Sequence, residues 1–315
     1  MLSILSVILP IFALILAGFL ARRLDAIGPA AVSEINRFVV YLALPALLFD
    51  AMAHASWDEL NQPGFIAAFG LGCGLVFYAT VGMRLLGQKQ LADASLDGLN
   101  ASYCNTSYIG LPLCLLVFGR ESLVPVTIAA IITVCVLFAS AIVLIEIDVS
   151  AERRPGRLLR KVGGSLVRNP LLVAPVLGTL YGATGLGVPQ SADTFLTLLG
   201  GAASPCALVV LGLFLAERRE IEPIERRTAA LLTAAKLIVH PAVTWVLATS
   251  VFSMPPKLAT ITVLLAALPT GTGSFMLAEF YGRRAVVTSY TVLLSTIGAL
   301  VTLSLYLYAT GYVVN

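Results

Sequence analysis

Two short runs hold the polar and helix-breaking residues best suited to gripping a ligand. They are Asn105-Thr106-Ser107-Tyr108 with Gly110 and Pro112, and Pro269-Thr270-Gly271-Thr272-Gly273-Ser274. Each sits in the middle of an apolar stretch long enough to cross a bilayer, 99–119 and 262–282. In hydrocarbon every backbone N–H and C=O must be satisfied internally, so irregular backbone persists there only inside protein or beside a watery cavity. Pro112 lacks an N–H and crowds the Tyr108 carbonyl, which predicts a helix opening near Asn105 to Gly110. The second run, with Pro269, Gly271 and Gly273, predicts the same more strongly. A broken helix presents half-helix ends, and an N-terminal end carries partial positive charge and free N–H groups. That chemistry suits a carboxylate or another small anion, with the amide and hydroxyls supplying neutral donors and acceptors. A lone break of this kind is also explained by a proline kink satisfied by a neighbouring helix. A matched pair, one in each half of the chain, is the pattern of a transporter's substrate site.

Ionisable residues inside apolar segments are the next candidates. Lys236 lies about nine residues into the eighth segment, roughly 13 Å along a helix. His240 follows one turn later on the same face. An intramembrane lysine is a functional candidate by default, here to neutralise an anionic substrate or to move with a proton. Two structural readings stand beside it: Lys236 snorkels to the interface, or it pairs with a carboxylate such as Glu279. Glu279 follows the second break and is a candidate carrier of a coupling proton. Asp50, Glu146 and Asp148 fall at segment ends, where carboxylates are interfacial. The chain has no nucleophile–base pair and no phosphate loop. Its five cysteines are odd in number, without C-x-x-C, and only two histidines occur. These features give no enzyme, no cofactor, no metal site and no disulfide framework. Transport without a nucleotide loop has to be secondary.

The surrounding elements are membrane helices. Of 315 residues, 58% are apolar and 12% charged, against about 25% charged in a soluble domain, and the mean hydropathy is +0.94. The net charge of +3 forms no tract, which excludes nucleic acid as a partner. Ten helix-length segments are predicted at 2–21, 32–52, 65–86, 94–118, 123–147, 170–186, 195–216, 228–252, 258–281 and 286–309. Arg22 and Arg23 come after the first apolar run, so the first segment reads as a retained helix, not a cleaved leader. Placing the N-terminus outside leaves only Arg120 and Lys257 in outer loops and Lys236 within a helix. Every other Lys and Arg falls inside, so both termini are expected outside. The longest hydrophilic stretch, 148–169, divides the chain into a first five-helix unit (1–150), a basic inner linker (151–169) and a second unit (170–315). An odd helix number per unit inverts the second relative to the first. Pro10, Gly18 and Pro45 recur 160 positions later as Pro170, Gly178 and Pro205. Gly119-Arg120 recurs 163 later as Gly282-Arg283.

The chain resembles the auxin efflux carrier family, which includes plant PIN proteins and bacterial organic-acid carriers. The resemblance spans essentially the whole chain. It rests on INRFVVYLALPALLF (35–49), NTSYIGLPL (105–113), RNPLL (168–172), SPCALVVLGLFL (204–215), KLIVHP (236–241) and LAALPTGTGSFMLAEFYG (265–282). It implies an all-α integral membrane fold of ten helices as two inverted five-helix repeats, with helices 4 and 9 broken and crossing at the midplane. Helices 1, 2, 6 and 7 would form a scaffold, in a homodimer. Helices 3–5 and 8–10 would form a transport unit moving by an elevator mechanism. The family's crossover asparagine maps onto Asn105, and its prolines onto Pro112 and Pro269. The chain lacks the long inner loop of plant members, and its second crossover has Thr, Gly and Ser without an Asn. These departures favour a small mono- or dicarboxylate over an auxin-like aromatic acid. The expectation is a secondary carrier of a small organic anion in a bacterial inner membrane, coupled to a proton or sodium ion or to neither. The rival readings are an anion or solute channel and a membrane sensor without transport.

Overall fold

The computed structural model describes residues 2–149, 163–164, 168–217 and 222–311. Most of the linker 151–169 therefore lies outside the described residues. Those residues are helical throughout, and their one strand-like feature is a single bridge between Cys104 and Thr270. Helix occupies part of every predicted segment. The helices are α1 (Leu2–Arg23), α2 (Ala30–Ala53), α3 (Pro63–Leu86), α4 (Leu91–Ser102), α5 (Thr106–Phe118) and α6 (Arg120–Val149). After the linker come α7 (Pro170–Ala183), α8 (Gln190–Leu215), α9 (Pro223–Val251), α10 (Pro256–Ala267), α11 (Gly273–Phe280) and α12 (Ala285–Thr310). Six spans are long and apolar enough to cross a membrane: α2, α6, α8, α9, α12 and α3 with the turn before it. Helices α5, α7 and α10 are shorter apolar elements.

Several ends differ from expectation for local reasons. Helix α7 stops at Ala183, short of residue 186, because Gly185 takes a left-handed φ of 70°. Helix α9 starts five residues early, at Pro223, where Glu222 and Glu225 close a capping box. Helix α7 starts where expected, with Pro170 in its first turn and the Asn169 side chain accepting from Leu171 N–H at 3.0 Å. Gly119 and Gly282, which end α5 and α11, both turn the chain with positive φ, 75° and 62°.

Packing divides the helices into two groups. In one, α1 lies on α8, and α2 lies on α7 and α8. Close approach there is set by glycine. A Cβ on Gly18 would collide with the Val209 carbonyl, and one on Gly178 with the Phe49 carbonyl. Both the two glycines and the two carbonyl residues are 160 apart. In the other group α3 packs on α4, α4 on α6, and α9 on α12, α10 and α3. A buried ionic cluster ties this second group together. Asp97, fully buried, accepts from Arg84 at 2.7 Å and from Arg284 at 3.1 Å, and Arg283 lies 3.2 Å from Asp93. Asp148 accepts from Ala92 N–H at 2.9 Å, and Glu146 from the Tyr281 hydroxyl at 2.6 Å. These two acids at the end of α6 are acceptors that fasten it to the start of α4 and the end of α11.

The glycine contacts give a stability test. Gly212→Val drives a Cβ into the Ile15 carbonyl and to 2.7 Å from Phe19 N on α1, whereas Gly74 faces open space. Overpacking of this kind costs about 1–3 kcal/mol or more. Gly212→Val is expected to lose the monodisperse peak in size-exclusion chromatography, and Gly74→Val to keep it.

Candidate functional site

The two breaks meet. Asn105 N–H donates to the Pro269 carbonyl at 2.9 Å, and Gly271 N–H donates to the Tyr103 carbonyl at 3.0 Å. This reciprocal pair gives each irregular segment the partners it lacks within its own helix. The first break is at Tyr103-Cys104-Asn105, N-terminal to the predicted opening at Asn105 to Gly110. Beyond it, Thr106–Gly110 winds as a π turn, with the N–H groups of Ile109 and Gly110 both directed at the Asn105 carbonyl. Pro112 follows this π turn as the seventh residue of α5, and the widened turn accommodates both the N–H it lacks and its crowding of the Tyr108 carbonyl. The second break runs from Leu268 to Thr272, and Gly273 and Ser274 already belong to α11.

The predicted residues divide by role. Asn105 is 5% exposed. Its Oδ1 caps α5 by accepting from Tyr108 N–H at 3.3 Å, and its Nδ2 is buried without a hydrogen-bond partner. Thr270 is committed to structure. Its hydroxyl donates to the Asn100 carbonyl at 2.8 Å, which caps the end of α4, and its N–H reaches Ser295 Oγ at 3.0 Å. Ser274 Oγ turns back to the Gly271 carbonyl at 2.9 Å. Gly110 makes room for the Leu268 and Leu265 side chains. Gly271 and Gly273 make room for the Tyr103 ring, whose carbons would lie 2.6 and 3.1 Å from a Cβ at those positions. Thr106, Pro112 and Pro269 are buried, and Ser107 is half-buried.

A cavity of about 330 Å³ lies beside the crossing. Tyr108 and Thr272 contribute to it from the breaks, Ser33 and Asn36 from α2, and Phe214 from α8. The Tyr108 hydroxyl donates to Asn36 Oδ1. The cavity thus lies between the two helix groups, with the start of α5 and the start of α11 on one wall. Asn36 and Ser33 were not foreseen. They stand on an amphipathic helix start that reads as surface, and only the packing of α2 over the crossing brings them in.

Behind the crossing, Lys236 and His240 are both fully buried. Lys236 Nζ donates to the Ala266 carbonyl at 2.6 Å and lies 3.2 Å from His240 Nδ1, and Cys104 Sγ lies 3.9 Å from the same nitrogen. Both structural readings of Lys236 are overturned. It neither snorkels nor pairs with Glu279, which is exposed at the end of α11. The ammonium instead caps the last turn of α10, where half-helix carbonyls carry partial negative charge. Lys236 and His240 come together one layer behind the breaks, and Glu279 stands apart from them.

The model of a family of membrane transport proteins matches residues 3–307. The chain is 29% identical over 318 residues to the "Putative malonate transporter" of Rhizobium meliloti, covering 99% of this chain and 98% of that protein. It is 25% identical over 305 residues to an "Uncharacterized transporter" of Methanothermobacter thermautotrophicus, covering 95% and 96%. It is 22% identical over 357 residues to "Auxin efflux carrier component 8" of Arabidopsis thaliana, covering 96% of each.

Proposed function

We propose that this chain, which belongs to the membrane transport protein family of auxin efflux carriers, is a secondary carrier of a small organic anion that works by alternating access. The observation that supports this most is the reciprocal bonding of Asn105 to Pro269 and of Gly271 to Tyr103 beside a cavity. It brings two half-helix N-termini to one wall, where an anion gains from both dipoles. The buried, unpartnered Asn105 Nδ2 adds a neutral donor. A volume of about 330 Å³ falls at the lower end of ligand pockets, about 300–1,000 Å³. A dicarboxylate of malonate's size, the ligand in the name of the Rhizobium meliloti relative, is the first candidate.

The finer architecture follows the same reading. The halves are two inverted five-helix repeats. Contacts Gly18–Val209 and Gly178–Phe49, related by one offset of 160, are what such a repeat produces. Helices α1, α2, α7 and α8 act as the scaffold, in a homodimer, and the remaining helices move against it as an elevator. The cavity is lined by Pro29 and Glu217, next to the basic loops assigned to the inside, so this conformation is open inward. Both termini then lie outside, in a bacterial plasma membrane. Lys236 supplies fixed positive charge near the site, with His240 beside it. Glu279, exposed and apart, is the weaker candidate for carrying a coupling proton.

Purified protein screened by thermal shift against malonate, malate, acetate and an auxin-like aromatic acid tests the reading. Each is run at two pH values, with and without sodium. A ligand that binds only the folded state raises the melting temperature with occupancy. Stabilisation by a small carboxylate and saturable uptake of it by proteoliposomes are expected. No carboxylate effect, or steady unitary conductance in single-channel recording, would overturn it.

A further inference from the structure

At the opposite end of α2 from the cavity described above, a second cavity of about 380 Å³ is lined by Asp50, His54, Glu59, Arg120, Glu121 and Asp193. Residues 33–36 and 50–54 stand roughly 25 Å apart along the helix. Two of the acids are already satisfied. Glu59 accepts from Ser56 N–H at 2.7 Å and from its hydroxyl at 2.8 Å, and Glu121 pairs with Lys257. The other two face His54. Asp50 is 3% exposed, and its Oδ1 has no hydrogen-bond partner. Arg120 stands 3.5 Å from the other oxygen, Oδ2, with most of its own side chain in solvent.

His54 completes the group. Its Nδ1 lies 2.9 Å from the Asp50 carbonyl, and 3.2 Å from Oδ1 without hydrogen-bond alignment. Donation from Nδ1 to the carbonyl leaves the lone pair on Nε2, which faces Asp193 Oδ1 at 3.6 Å. Ligand atoms of Asp50, His54 and Asp193 all fall within 4.8 Å of one another. Arg120 reaches only Asp50 Oδ2, so Asp50 Oδ1, Asp193 and the Nε2 lone pair converge with mutual repulsion that a cation among them would relieve.

We propose that Asp50, His54 and Asp193 bind a divalent transition-metal ion of the zinc class. One imidazole nitrogen and two carboxylates are a borderline ligand set that suits Zn2+ and not Mg2+ or Ca2+, which prefer all-oxygen shells. Tetrahedral Zn–N and Zn–O bonds of about 2.1 Å put ligand atoms about 3.4 Å apart, close to the 3.6 Å between His54 Nε2 and Asp193 Oδ1; Asp50 Oδ1, which lies 3.2 Å from Nδ1, turns toward the Nε2 side to complete the set. The Nδ1 bond to a backbone carbonyl is the outer-shell partner that a metal-bound histidine ordinarily has. The site joins α2 to the first turn of α8 and does not depend on the transport reading.

Isothermal titration of the full-length protein in detergent with zinc chloride tests it, with magnesium chloride as comparator. The expected result is one Zn2+ per chain and no saturable Mg2+ binding. His54→Gln and Asp193→Asn should each weaken Zn2+ at least tenfold. The Asp193 side chain is 45% exposed, so Asp193→Asn should fold even if changes nearer the core do not. Cys73→Ser should leave Zn2+ binding unchanged, which separates this site from the buried group of Cys73, Cys104 and His240. Absence of saturable Zn2+ binding, unchanged affinity in both variants, or loss in Cys73→Ser would each overturn the proposal.

Discussion

Asn105→Ala is expected to weaken carboxylate binding by about ten- to hundredfold, with a folded protein. Two terms set the size. The Nδ2 donor to an anion is worth about 1.5–3 kcal/mol as a hydrogen bond to a charged group. Loss of the Oδ1 bond to Tyr108 N–H removes an N-cap worth about 1 kcal/mol, which acts on stability. Asn105→Asp separates them, since it keeps an acceptor for Tyr108 N–H and replaces the donor with negative charge. It should fold with a lowered melting temperature, because the new carboxylate is buried, and show no carboxylate-induced shift. Wild-type affinity in either variant would remove Asn105 from the site.

Lys236→Gln should reduce carboxylate flux at least tenfold in proteoliposomes while the protein remains folded. Glutamine can still donate to the Ala266 carbonyl that Lys236 caps, so the substitution removes the charge and keeps the bond. Among the described residues Nζ bonds to a carbonyl and lies beside an imidazole nitrogen, with no carboxylate hydrogen-bonded to it. An anionic substrate is therefore a natural counter-charge. At an effective dielectric of about 20, a cation about 8 Å from a carboxylate contributes about 2 kcal/mol, or roughly thirtyfold. Lys236→Met removes the bond as well, and should be less stable than Lys236→Gln by about 1–3 kcal/mol for the orphaned carbonyl. Unchanged flux in Lys236→Gln would confine the ammonium to capping.

Much of this arrangement is legible in residue order because the membrane narrows what helix-breaking residues can mean. Pro269, Gly271 and Gly273 in hydrocarbon require an irregular backbone with partners nearby, and the partner is the other break. The location of the first opening was legible only in part. The chain leaves the helix at Tyr103 to Asn105, just before the range that Pro112 marks, and within that range Thr106–Gly110 is widened into a π turn, not unwound. Tyr103 was missed because an aromatic next to a break reads as packing. Its ring is what the two glycines accommodate. The direction of Lys236 was also out of reach, since snorkelling and inward capping differ by side-chain torsions. Asp50, His54 and Asp193 gather only when α2 and α8 are laid together, and no spacing along the chain marks them.

The paired bonds between Asn105 and Pro269 and between Gly271 and Tyr103 act as a rivet. They make the two broken helices one rigid floor, so a ligand cannot be released by prising them apart without orphaning four backbone groups. On the proposed carrier reading, exchange between the two sides of the membrane would come from the wall that Asn36 and Phe214 supply. The floor would present the same grip in either orientation. Any difference in affinity between the two sides would be written in that wall, beginning with the Tyr108–Asn36 bond that joins the two surfaces.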